Sequence, residues 1–179
     1  MLHRNGAAGL DCALDACADR VDRDRFDAAA ALLGFTRETT FEGQAAMWLE
    51  QSARRAKSEN AYRFPIDAGT LDFRPLLEDL IEDRVRGREP AAIARAFQLG
   101  IAEGISAAIK RLCREHATTV CVLSGGVFQN ELLNEDLNKS MQDYGIQLWT
   151  NSAVPPNDGG ISLGQAAMAA FHTGHPAHA

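Results

Sequence analysis

The longest periodic stretch of the chain follows Pro90, where Ile93, Phe97, Ile101, Ile105, Ile109 and Leu112 recur at steps of three and four. That spacing lines one face of a helix, so a helix from Pro90 to about His116 is predicted to pack along a core. Shorter helices are predicted around it. One begins near Phe26, runs through the helix formers of residues 28–33 and stops at Gly34. A second, capped by Thr39 or Thr40 with Glu42 and Gln44 close behind, passes Met47 and Leu49 towards Lys57. Pro75 opens a third through Leu76, Leu77, Leu80 and Ile81, which Gly87 ends.

Elsewhere the period changes. Residues 61–66 (Ala-Tyr-Arg-Phe-Pro-Ile) and 70–73 (Thr-Leu-Asp-Phe) alternate in polarity across Asp67-Ala-Gly, a hairpin pattern. Residues 118–123 (Thr-Thr-Val-Cys-Val-Leu) form a β-branched apolar run suited to a central strand covered on both faces. A glycine turn follows, then a helix with Leu133, Leu137 and Met141 on one side, Gly145, and a second strand over 146–149. Pro155-Pro-Asn-Asp-Gly-Gly leads into a final helix carrying Leu163, Gly164, Ala167, Met168 and Phe171. This order predicts an α/β fold, and the hairpin makes its sheet mixed. Residues 1–24 carry no firm period, and the tail 174–179 is expected to fray.

At 179 residues the chain fits one domain or one large lobe. Hydrophobic residues at 46% and charged residues at 23% exclude a disordered chain. A net charge of −6 argues against the basic face that DNA binding needs. Cys12, Cys17, Cys113 and Cys121 form no CxxC pair, so buried or incidental thiols are favoured over metal ligation or disulfides. The start of the chain lacks a signal-peptide layout, and no run of 18 apolar residues occurs. The expectation is a cytoplasmic protein with no membrane segment.

Three places could carry chemistry. At 123–130 (Leu-Ser-Gly-Gly-Val-Phe-Gln-Asn) the glycines would let backbone N–H groups approach a ligand, the helix start would attract an anion, and the Asn130 amide could meet a ribose or base edge. The alternative is a tight turn needing positive φ. In 155–160, Asp158 either caps the last helix or ligates a hard cation. Both loops follow carboxyl ends of neighbouring predicted strands, where open α/β sheets bind ligands. Asp27, and Glu42-Gly43-Gln44 beside a helix start, offer polar groups that would otherwise be caps or solvated. His172, His175 and His178 are spaced like a metal tract, but Gly174 and Pro176 oppose a helix that would align them.

These stretches resemble the carbamoyltransferase that matures [NiFe]-hydrogenases, the HypF family. Residues 124–130 and 155–165 resemble its C-terminal region, and 26–34 (Phe-Asp-Ala-Ala-Ala-Ala-Leu-Leu-Gly) and 41–47 (Phe-Glu-Gly-Gln-Ala-Ala-Met) resemble it in the same order. The likeness covers about residues 25–172. It implies the second lobe of an actin-like, RNase H-like ATPase fold (ASKHA), shared with the tRNA threonylcarbamoyltransferases, with the lobe at 25–173. It implies ATP and a divalent metal ion as cofactors. It also implies chemistry that forms carbamoyl adenylate from carbamoyl phosphate and ATP and carbamoylates the C-terminal cysteine of a HypE-like maturation protein.

By the same resemblance, Ser124, Gly125, Gly126 and Asn130 belong to a nucleotide-binding turn. Asp27 and Gly43 lie near ribose and base, and Asp158 belongs to a metal site. The family's His-x-x-x-His pair is absent from the sequence, and Val21-Asp-Arg-Asp-Arg stands where the family has Ser-Ser-x-Gly-Arg. The chain is therefore expected to be part of an enzyme that needs an N-terminal lobe, with homodimerisation through its exposed cleft wall as a further expectation. The alternatives are a non-catalytic remnant that binds a nucleotide or partner, or a threonylcarbamoyltransferase-like protein. Phe128-Gln129 and Glu42-Gly43-Gln44 favour the hydrogenase branch.

Overall fold

The structure is a computed structural model that describes residues 23–35, 38–57 and 59–173. His3, Cys12, Cys17, the segment upstream of Arg23, and His175 and His178 in the tail lie outside the described residues.

The first described helix, α1 (Arg23–Leu32), places Phe26, Ala29 and Ala30 in the core, with Leu33 just beyond it. It ends as expected at Gly34, whose φ of 106° suits a residue without Cβ. The Phe35 N–H reaches the Ala30 carbonyl and the Gly34 N–H reaches that of Ala31, the paired bonds that close a helix end. Helix α2 (Gln44–Ala53) follows Gly43, which is left-handed at φ 81° and makes no side-chain cap. The expected threonine cap is replaced by the reverse contact. Gln44 Oε1 reaches back to accept from Thr40 N (2.8 Å) and Thr40 Oγ1 (3.3 Å). The helix also stops at Ala53, short of Lys57.

The hairpin is present but small. Strands β1 (Ile66–Asp67) and β2 (Thr70–Leu71) pair antiparallel around Ala68 and Gly69, both at positive φ, the signature of a two-residue primed turn. Residues 61–65 pair in no strand and lie across a helix instead, the Tyr62 N–H bonding the Ala96 carbonyl. That helix is α4 (Pro90–Glu115), preceded by α3 (Phe73–Val85). Helix α3 starts two residues before Pro75, since the Asp72 side chain accepts from Arg74 N and fixes the start there.

Helix α4 buries Ile93, Phe97, Ile101, Ile105 and Ile109 as the periodicity predicts, and packs against α2 and α3. Phe97 meets Phe26 of α1 edge-on at 5.8 Å between centroids. By length and composition α4 could cross a bilayer. Within this fold, however, 78% of the relevant stretch is buried.

The second half is a parallel β–α–β unit. Strand β3 (Val120–Leu123) pairs with β4 (Gln147–Thr150) in parallel, Val120 facing Gln147 and Leu123 facing Thr150. Between them lie a 3-10 turn (Gly126–Gln129) and helix α5 (Glu131–Met141), which buries Leu132, Leu133, Leu137 and Met141 against α4. Arg95 of α4 and Asp136 of α5, both largely buried, pair through two contacts of 2.5 and 2.7 Å. A 3-10 turn (Asp158–Gly160) then leads to helix α6 (Ile161–Thr173).

Two expectations are corrected here. The described residues hold two separate two-stranded sheets, one antiparallel and one parallel, rather than one mixed sheet, because the hairpin is anchored on α4 and not beside β3. Strand β3 is covered on one face only. Cys121 and Leu123 point into the core, while Val122 is 59% exposed. Trp149, its register partner on β4, is 57% exposed, so both stand on the open face of the sheet. Ile161, Leu163 and Met168 of α6 are also more than half exposed.

Candidate nucleotide site

The first part of the site is an open cavity of about 300 Å³ lined by Asp27, Thr39, Thr40, Phe41, Glu42 and Gly43. Two distant stretches of sequence meet here because α1 packs on α2, helped by the Phe35 and Trp48 rings at 5.6 Å. Asp27, half-buried on α1, thus faces the loop that starts α2. The resemblance paired Asp27 with Gly43, and both line this one cavity. Nothing lies within 4 Å of where a Gly43 side chain would begin, so a ligand has a clear approach to that backbone. Phe41, 52% exposed, puts an apolar ring beside two carboxylates, a mixed lining of the kind that small-molecule sites use.

The second part is the turn after β3. Gly125 has φ 112° and ψ 159°, a conformation open essentially to glycine alone. A side chain at Gly125 or Gly126 would meet nothing within 4 Å, so this backbone is also approachable. The turn is braced from below. The Phe128 N–H bonds the Gly125 carbonyl at 3.1 Å, and Asn134 Nδ2 bonds the Phe128 carbonyl at 2.8 Å. Ser124 is exposed at the strand end.

Asn130 is held by one end of its amide. Its Oδ1 accepts from Leu133 N at 2.9 Å and caps α5, so that oxygen is committed to the fold. Its Nδ2 is buried and makes no hydrogen bond within the chain. The expected attraction of the helix start for an anion is also spent. The Leu132 N–H is taken by Glu50 Oε1 at 3.1 Å, and the Leu133 N–H by Asn130. The Leu132 and Leu133 N–H groups at the mouth of α5 are therefore occupied, whereas the glycine turn stays open to approach.

Glu50 was not a candidate from sequence. Its spacing to Arg54 is a visible i,i+4 pair, but its bond across 82 residues to α5 becomes visible only in the fold. Arg54 extends the bridge, reaching Glu135 at 3.1 Å and Glu131 at 3.8 Å.

Asp158 sits exposed in its 3-10 turn. The 3-10 turn itself is capped by Asn157, whose side chain accepts from Gly159 N at 3.0 Å. Strands β3 and β4 do end on the same edge. Among the described residues, however, no hydrogen bond or ion pair joins Asp158 to the glycine turn, and no group of three His, Cys, Asp or Glu side chains could hold a metal. Burial pushes the Cys113 thiol up and, with Cys113 nearby, the Cys121 thiol to about 11, which disfavours their thiolates.

Residues 20–165 match the sequence model of the family described as carbamoyltransferase, Kae1-like domain, second subdomain. The chain belongs to the HypF carbamoyltransferase family. It is 34% identical over 165 residues to the carbamoyltransferase HypF of Rhodobacter capsulatus, covering 92% of this chain and 21% of that protein. HypF of Rhizobium leguminosarum bv. viciae is 37% identical over 145 residues, or 80% of this chain and 19% of the relative. The fold is similar to that of a full-length HypF crystallised in a phosphate- and nucleotide-bound form, with a TM-score of 0.75, 34% identity, and coverage of 93% of this chain and 28% of that one. Thermococcal HypF (T. kodakarensis) gives a TM-score of 0.74 at 25% identity, with 93% and 22% coverage. The chain thus has the fold of the second Kae1-like subdomain, and it spans about a fifth of the length of these curated HypF relatives.

Proposed function

We propose that this chain is the nucleotide-binding second lobe of a HypF-type carbamoyltransferase. The enzyme to which it contributes uses carbamoyl phosphate and ATP to form carbamoyl adenylate, and carbamoylates the C-terminal cysteine of a HypE-like maturation protein. The observation that carries this reading is the cavity in which Asp27 and Gly43 meet, bridged through α2 to the glycine turn of Gly125 and Gly126. In this arrangement Asp27 accepts hydrogen bonds from ribose hydroxyls, and the backbone at Gly43 borders the base. The N–H groups of the Gly125–Gly126 turn receive phosphate oxygens. Ser124 adds a hydroxyl at the strand end.

Asp158 alone does not make a metal centre, since a hard cation takes six or so oxygen ligands and no group of three His, Cys, Asp or Glu side chains forms among the described residues. The cleft is proposed to close with an N-terminal lobe seated on the apolar face of Val122, Trp149 and α6, excluding water from a labile acyl adenylate. We place the reaction in the cytoplasm, with neither DNA nor membrane as a partner.

Calorimetry of the chain with ATP tests the nucleotide reading. Saturable binding weakened about tenfold by Asp27→Asn, the loss expected for one charge-assisted hydrogen bond, is the predicted result. A folded chain that binds no ATP, or binds it equally well as Asp27→Asn, would overturn it.

A further inference from the structure

We infer that Glu50 is a positioning residue that sets the glycine turn at a fixed distance from the cavity, so that one ligand engages both. The inference rests on the nucleotide reading for the identity of that ligand, and on geometry alone for the strut itself.

Helix α2 begins at the cavity, where Gly43 precedes Gln44. Glu50 stands seven residues beyond Gly43, roughly 10 Å along a helix axis. There its side chain is only 12% exposed, and Oε1 accepts the Leu132 N–H at 3.1 Å. Leu132 is the second residue of α5, and Asn130, which closes the glycine turn, is the cap of the same helix. The contact therefore joins a rigid element rooted in the cavity to the helix that carries the turn.

The same oxygen also receives Arg54 Nε at 3.3 Å and Nη2 at 3.1 Å. Arg54 in turn holds Glu135 one turn along α5. Two points on α5 are thus tied to one turn of α2, which fixes the orientation of the helix as well as its distance. Burial of a carboxylate is costly unless it is paired and hydrogen-bonded, and this one is both. A negative charge beside the start of α5 complements the helix dipole. It also keeps phosphates away from that helix mouth and directs them to the glycine turn.

The test compares Glu50→Ala and Glu50→Gln in the full chain by amide hydrogen exchange, by thermal melting and by calorimetry with ATP and with adenosine. Glutamine keeps an oxygen that can accept from Leu132, whereas alanine removes it. In Glu50→Ala the amides of 125–132 should exchange faster, ATP affinity should fall about tenfold, and adenosine, which reaches the cavity only, should bind within about twofold of the unaltered chain. Glu50→Gln should restore most of the ATP affinity.

Equal loss of adenosine and ATP binding would mean general damage and would overturn the inference. So would an exchange increase confined to Leu132. If the unaltered chain binds no ATP, the nucleotide reading fails and the exchange arm decides on Glu50 by itself. Faster exchange over 125–130 then upholds the strut, and unchanged exchange rejects it.

Discussion

Individual side chains carry much of the local order in this fold, and two of them give separable predictions. Asp72 caps α3, and the Arg74 guanidinium, with the Arg74 N–H, holds its carboxyl down to about 2. A carboxyl whose value is lower in the folded chain stabilises the fold fully above its unfolded value, and that contribution is lost as pH falls towards 2. Acid unfolding of Asp72→Asn should therefore lose less stability between about pH 4 and 2 than the unaltered chain does. Parallel acid transitions would show that Asp72 is not coupled to folding. Tyr62 donates to Asp83 at 2.5 Å, and Arg88 joins both Asp83 and Glu59. Burial first, and then Asp83, raise the Tyr62 phenol well above the usual tyrosine range, so it stays a donor. Tyr62→Phe should lower stability by about 1.5–3 kcal/mol in a denaturant titration, as for loss of a hydrogen bond to a charged group. No change would mean that Arg88 alone satisfies Asp83.

Between elements, the close approach of residues 61–65 to α4 is the feature that periodicity could not reveal. Tyr62 N bonds the Ala96 carbonyl at 3.1 Å, and a side chain at Gly100 would begin 2.6 Å from the Tyr62 carbonyl oxygen. Gly104 is covered in the same way by Phe64. Gly100→Ala should destabilise the chain by about 1–3 kcal/mol, the cost of overpacking. Gly164→Ala on exposed α6 has open space and should be neutral or stabilising by up to about 1 kcal/mol. Thermal melts that rank the two variants in the opposite order would contradict this packing. The long amphipathic helix was legible because five isoleucine and phenylalanine positions repeat along one face of α4. The Schellman end of α1 and the β–α–β unit were legible because glycine and apolar runs are local signals. The reach of Gln44 to Thr40 and the bridge of Glu50 to Leu132 were not, since each depends on which neighbour the fold supplies. The pairing of Asp27 with Gly43 came from family resemblance and not from spacing, and the cavity places those two together. It leaves Asp158 apart.

At the scale of the whole molecule, one side is a closed core and the other a bare sheet face with an apolar helix beyond it. Val122, Trp149, Leu163 and Met168 are each more than half exposed, and large apolar side chains left open to water favour association with another surface. Light scattering of the chain alone should give an apparent mass that rises with concentration, and Val122→Ser with Trp149→Ser should reduce that rise. A concentration-independent monomer would contradict self-association through this face. The proposed nucleotide site joins the cavity to the glycine turn. An amide NMR titration of the chain with ATP tests it most directly. The Gly43 resonance and those of Gly125 and Gly126 should move together, with a common midpoint. Shifts at only one of the two places, or at neither, would contradict it.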